Sequence, residues 1–299
     1  MVNFIVTLSY LAIGLVLRRV PQFPKESANV LNLFVIYVSL PALVLLKVPS
    51  LSLSGDLFVP VLMPWVMLFL SAALVLAGAW LFSWKRSVVG VLLLMAPLGN
   101  TSFLGIPMVT AFFGEKGVPF AILYDQFGSF IALATYGTII LACCGGKSWP
   151  SLLEVVVKIV TFPPFVALLT ALFLLRGISY PQPVDNLLSS LAGTLVPVVM
   201  VAVGLQLSFH FDSGTFAPFL FGLLIKLVAA PVSALVICSL FELEGLPVKI
   251  AIFESGMPPM VSAGALAIAA GMSPKLTAAF VGFGIFASFA TLPVLAGFL

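Results

Sequence analysis

"PLGNTSFLGIPMV", residues 97–109, places two prolines, two glycines, an asparagine, a threonine and a serine within thirteen positions of an otherwise apolar stretch. Pro107 lacks an amide donor and clashes with the turn before it, while Gly99 and Gly105 tolerate unwinding. In lipid, every backbone N–H and C=O must be paired. A helix is therefore broken at membrane depth only where protein or a water-filled cavity satisfies the freed groups. If the chain is embedded in a bilayer, this stretch predicts a deliberately broken helix.

Composition places it there. Of 299 residues, 62% are hydrophobic and 8% charged, against roughly 25% charged in soluble domains. So few charges cannot cover a water-soluble fold of this length. Charged and turn-rich punctuation leaves ten apolar segments, at 2–17, 27–47, 57–82, 88–112, 118–142, 151–175, 186–208, 216–240, 247–270 and 276–297. Most reach the ~20 residues that a helix needs to cross the hydrocarbon core. Long runs such as "FIVTLSYLAIGLVL" do not alternate as the strands of a closed barrel do. The expected fold class is an all-α integral membrane protein with ten transmembrane helices.

Met1 opens into the first apolar run without a basic leader. Arg18 and Arg19 stand where a cleaved signal would carry small residues, so a retained first span is expected. Among the short loops, one side receives Arg18, Arg19, Lys25, Lys85, Arg86, Lys147, Lys158 and Lys275, the other Lys47, Lys116, Arg176 and Lys249. The richer side is expected to be cytoplasmic, which puts both termini outside a cell's inner (plasma) membrane.

Backbone-special residues recur at a nearly constant offset. Pro41 and Pro197 are 156 residues apart; Gly99 and Gly256, Pro107 and Gly264, and Gly114 and Gly271 are each 157 apart. Two five-helix halves, 1–145 and 151–299, are expected, the second inverted because each has an odd number of spans. "ESGMPPMVSAGA", residues 254–265, carries the matching punctuation. Paired interrupted spans in two halves point to a midplane binding site. There, half-helix N-termini face an anion and loosened carbonyls hold a cation.

These residues carry a family resemblance. "GNTSFLGIPMV" resembles the fourth-helix motif of the auxin efflux carrier family, whose plant PIN-FORMED members read N-T-x-x-x-G-I-P there. The "LP" at Leu40-Pro41 and the "MP" at Met257-Pro258 agree. The resemblance implies a carrier fold related to the bile acid/sodium symporters, with helices four and nine crossing at their breaks. It also implies a transport domain of spans 3–5 and 8–10, moved elevator-fashion against a scaffold of spans 1, 2, 6 and 7 that forms a homodimer. Small carboxylates and auxin-like acids are the substrates it suggests. Where plant members have a second crossover proline, this chain has Ala263 or Gly264. In place of their long cytoplasmic insertion it has "GGKSWP".

On the residues and the resemblance together, the candidate substrate site comprises Asn100, Thr101, Gly105, Pro107, Gln126, Met257, Pro258, Ser262 and Gly264. The candidate ion-coupling residues are Glu254, Asp125, Asn100 and Ser102, since a carboxylate inside a span needs a cation, a proton or a basic partner. Glu254-Ser255-Gly256-Met257 resembles the E-T-G-x-Q stretch of the sodium symporters, with Pro258 in place of the glutamine. A coupling Na+ at Glu254, Asn100 and Thr101 and a proton on Glu254 are both open. For Lys226, the one basic residue deep in a span, two readings are open: a pair with Asp125 or Glu254, or a side chain that snorkels to the interface.

The expected function is secondary transport of a small organic anion, coupled to sodium or protons; an uncoupled carrier or an anion channel is the alternative. No cofactor other than a coupling Na+ is expected, and no resident metal. His210 has no Cys or His cluster around it. No G-x-S-x-G or G-x-x-x-x-G-K-[ST] motif occurs, so an enzyme is not expected. The partners expected are the organic anion, the lipid bilayer and a second copy of the chain, with no nucleic acid.

Overall fold

A computed structural model describes residues 2–24, 26–51, 57–146, 149–207 and 213–299. Lys25, Lys147 and His210 lie outside the described residues. The helices in chain order are α1 (Val2–Leu17), α2 (Ser27–Lys47), α3 (Phe58–Phe82), α4 (Arg86–Met95), α5 (Thr101–Phe113), α6 (Glu115–Gly145) and α7 (Leu152–Val160). They continue with α8 (Pro163–Phe173), α9 (Gln182–Gln206), α10 (Phe216–Leu240), α11 (Leu246–Ser255), α12 (Val261–Ala269) and α13 (Pro274–Ala296). The described residues contain no strand beyond one isolated bridge.

Six of these helices, α2, α3, α6, α9, α10 and α13, are long and apolar enough to cross a bilayer. The number is seven if α7 and α8, bent by 65° at their junction, form one span. The ten expected segments are all occupied by helix, but the fourth and ninth are each divided into two pieces too short to cross alone. At ~1.5 Å per residue, the ten residues of α4 reach only half the ~30 Å core.

Prolines dictate a recurring local device. The wide π-type turns Val35–Ser39, Thr101–Gly105 and Ile225–Ala229 each end two residues before a proline: Pro41, Pro107 and Pro231. Proline cannot bond the carbonyl four residues back, and its ring pushes that carbonyl aside. The turn widens to absorb the misfit. A fourth wide turn, Tyr124–Phe130, has no such proline. Here Pro64 of α3 presses on Gly128, where an added Cβ would fall 2.2 Å from the ring. The Trp65 indole donates to the Phe127 carbonyl at 3.0 Å.

Contacts divide the chain into two units, each drawing on both halves of the sequence. The first comprises residues 1–55, 102–122 and 156–207. Within it, α1 packs most closely on α9: a Cβ on Gly204 would lie 2.3 Å from the Leu11 carbonyl oxygen and 2.9 Å from the Gly14 Cα. Small residues let two backbones approach this closely in a medium that supplies no hydrophobic drive between helices. The Ser39 and Thr194 hydroxyls bond at 2.7 Å, and the Tyr180 hydroxyl donates to the Leu45 carbonyl at 2.8 Å. Arg18 donates to the Leu207 carbonyl, and Lys47 pairs with Glu115 at 2.9 Å.

The second unit comprises residues 56–101, 123–155 and 208–299. Leu92, Leu94 and Met95 of α4 pack with Phe280 of α13 and Ala263 and Ala267 of α12 in one core. Val59, Met63 and Met67 of α3 pack with Tyr124, Ala230 and Ala251 in another. The first core also takes in Leu98 and Met260, from the breaks that separate α4 from α5 and α11 from α12.

Candidate functional site

The chain leaves helical form at 96–100 and again at 256–260, and the two breaks satisfy each other. The Asn100 amide donates to the Pro258 carbonyl at 2.8 Å, and the Met260 amide donates to the Leu98 carbonyl at 3.0 Å. Gly99 and Pro259 face each other in an antiparallel bridge. Backbone groups that lipid could not serve are thus paired across the crossing. The reciprocal bonds relate residues 98–100 to 258–260, an offset of 160 rather than the 157 read from the glycines and prolines.

Polar side chains gather around this pairing, all deeply buried. Asn100, Thr101, Asp125, Gln126, Lys226, Glu254 and Ser255 are each at most 3% exposed. The Thr101 hydroxyl donates to Asp125 Oδ1 at 2.5 Å, and Gln126 Nε2 donates to Asp125 Oδ2 at 2.6 Å. Asp125 therefore anchors the residue that follows the first break. Lys226 Nζ donates to the Ser255 carbonyl at 2.9 Å, at the end of α11. That bond sets the ammonium on a main-chain oxygen beside Glu254, whose carboxylate lines the same void.

Four side-chain atoms here have no hydrogen-bond partner among the described residues: Asn100 Nδ2, Gln126 Oε1 and both carboxylate oxygens of Glu254. A buried, unsatisfied polar group costs roughly 1–3 kcal/mol, and four such atoms gather here. Glu254 and Lys226 line a common void with Thr101, Tyr124 and Ser129 that leaves about 10 Å³. That is room for about one water and excludes an organic anion in this conformation.

Met257 is fully buried and follows Glu254 in the second break, its amide bonded to the Glu254 carbonyl at 3.1 Å. Pro258 contributes its carbonyl to the crossing. Ser262 is exposed on α12. Gly264 is a packing glycine: a Cβ there would lie 2.8 Å from the Val281 side chain of α13. Ser102, Gly105 and Pro107 belong to the first unit, where Gly105 and Pro107 are buried in the start of α5 and Ser102 is half-buried. Nothing in the sequence pointed to the Ser255 carbonyl, since backbone atoms carry no residue signature. The proline two residues beyond each wide turn was the available signal for Thr101 and Lys226.

A membrane-embedded, all-helical chain whose broken helices pair around unsatisfied polar groups has the construction of a transport protein. Comparison with known proteins agrees. The Membrane transport protein family matches residues 1–148 and 147–296, and the chain belongs to this family, that of the auxin efflux carriers. It is similar to an uncharacterized transporter of Methanocaldococcus jannaschii, at 30% identity over 247 residues covering 78% of this chain and 77% of the relative. It is also similar to an uncharacterized transporter of Methanothermobacter thermautotrophicus, at 28% identity over 290 residues covering 94% and 92%.

Proposed function

We propose that the protein is a secondary carrier that moves a small organic anion, a mono- or dicarboxylate, through the crossing of the two helix breaks. The observation that carries this reading is the Asn100 side-chain amide nitrogen, buried without a hydrogen-bond partner among the described residues beside the two main-chain bonds of the crossing. It offers donors that a carboxylate accepts. The N-terminus of α12 brings the positive end of a helix dipole to the same break. Because the void there holds about one water, the crossing has to open before an anion enters.

The reading includes two inverted five-helix halves, 1–145 and 151–299, among ten spans. Both halves of the broken pair end alike, which supports this: Gly114 after α5 and Gly271 after α12 adopt left-handed φ of 73° and 70°. It also includes elevator-type movement of spans 3–5 and 8–10 against spans 1, 2, 6 and 7. The second contact unit supports that grouping, since it gathers spans three, five, eight, nine and ten with the first part of four. A homodimer through the scaffold spans, in a cell's inner membrane with both termini outside, completes the proposal.

The test is thermal unfolding of the detergent-purified protein against a panel of mono- and dicarboxylates. A ligand that binds only the folded state raises its melting temperature by mass action. Stabilisation by one or more carboxylates is expected. If none across the panel stabilises the protein while an organic cation or neutral solute does, the anion assignment is wrong.

A further inference from the structure

We propose that the Lys226 ammonium is the resident cation of the crossing, held where a coupling sodium would otherwise sit, so that the site functions without sodium. The inference rests on the crossing being the carrier's binding centre and identifies which cation that centre uses.

Three observations place the ammonium. Nζ takes the Ser255 carbonyl at the C-terminal end of α11, where the last helical carbonyls lack partners and the dipole is negative. Loosened carbonyls of this kind, together with a carboxylate, are what hold a coupling cation in a broken helix. From the other break Gly99 makes room: a Cβ there would lie 3.2 Å from Nζ and 3.4 Å from Cε. The glycine inside "PLGN" thus has a second role besides permitting the break. Finally, Glu254 is fully buried, with no hydrogen bond to either carboxylate oxygen among the described residues, and faces the same void as Lys226.

A buried carboxylate demands a positive charge nearby, and Lys226 brings one on a fixed tether. Sodium in the remaining space would stand beside an ammonium of the same sign in a poorly screening interior. A hard cation also needs several oxygens. Of those here, the Ser255 carbonyl is already bonded to Nζ, which leaves chiefly the two carboxylate oxygens of Glu254 beside the ammonium. The residues therefore do not fit the sodium site expected at Glu254, Asn100 and Thr101 while Lys226 is in place.

Removing the tether should open a vacancy for a free cation. The experiment measures melting temperature of the purified full-length protein in choline chloride, titrated with sodium, potassium or methylammonium chloride, for wild type and Lys226→Ala. Wild type should show no sodium-specific shift. Lys226→Ala should melt lower and regain at least about 2 °C with sodium or methylammonium. A sodium-specific rise in wild type overturns the proposal, as does a Lys226→Ala protein indifferent to all three cations. If Lys226→Ala does not fold, Lys226→Met purified in sodium serves in its place, and the wild-type titration decides the sodium question alone. No organic anion enters the readout, so a failed carboxylate panel and a failed cation test are separate results.

Discussion

The main-chain amide of Asn100 donates to the Pro258 carbonyl at 2.8 Å, whereas the side-chain amide nitrogen of the same residue has no hydrogen-bond partner among the described residues. One residue thus serves the fold with its backbone and leaves its side chain for another use.

Asn100→Ala separates the two roles. The crossing bond survives because it is made by the backbone, and a partnerless buried amide is removed, so stability should change by less than ~1 kcal/mol. The carboxylate-induced rise in melting temperature should disappear. A variant that keeps the full rise moves the anion site away from this side chain.

Asp125→Ala takes the acceptors from the Thr101 hydroxyl and the Gln126 amide at once. Two buried donors left unpaired should cost about 2 kcal/mol or more, with Asp125→Asn milder because one carbonyl oxygen remains. Detergent melting curves of both variants measure this. Asp125→Ala melting with wild type would show that Asp125 does not anchor the first break.

Pro231→Ala probes the wide turn beneath Lys226. An interior proline costs a helix about 3 kcal/mol, which the alanine relieves. The turn Ile225–Ala229 is then free to tighten and swing Lys226 from the Ser255 carbonyl, which offsets that relief by stripping a buried ammonium of its acceptor. Uptake into proteoliposomes should fall by more than any change in melting temperature accounts for. Unaltered uptake would mean that the turn's width does not set the lysine's position.

Gly204→Val tests the first unit alone. Its Cβ would fall 2.3 Å from the Leu11 carbonyl oxygen, forcing α1 and α9 apart. Overpacking of this kind costs about 1–3 kcal/mol, and because the obstacle is backbone, a loss at the upper end is expected. A melting temperature matching wild type would show that the two helices can separate freely.

The breaks were legible because glycine and proline act on the backbone they belong to. "PLGN" and "MPP" announce themselves in any apolar segment, and both lie at the crossing. Thr101, Asp125, Gln126, Lys226 and Glu254 were legible as polar residues in apolar spans. The hydrogen bond of Lys226 was not: it goes to the Ser255 carbonyl beside Glu254, and the sequence cannot single out a main-chain oxygen. Gly264 and Ser262 share the punctuation of the second break, but side-chain direction decides their place. Gly264 meets Val281 and Ser262 is exposed. At the pairing the offset is 160 rather than 157, because Gly114 directly follows the thirteen residues of α5 whereas Ala270 stands between the nine residues of α12 and Gly271. Glycines at the helix ends therefore keep a register that the breaks do not.

The reciprocal bonds at the crossing join residues 98–100 to residues 258–260. During synthesis the first break enters the bilayer well before its partner segment exists. Until those residues arrive, the Asn100 amide and the Leu98 carbonyl need a temporary partner, such as water or the insertion machinery. The crossing is consequently among the last parts of the second unit to be completed. A nascent chain halted before residue 258 would present an unfinished break to quality control, and premature termination there should be cleared rapidly from the membrane.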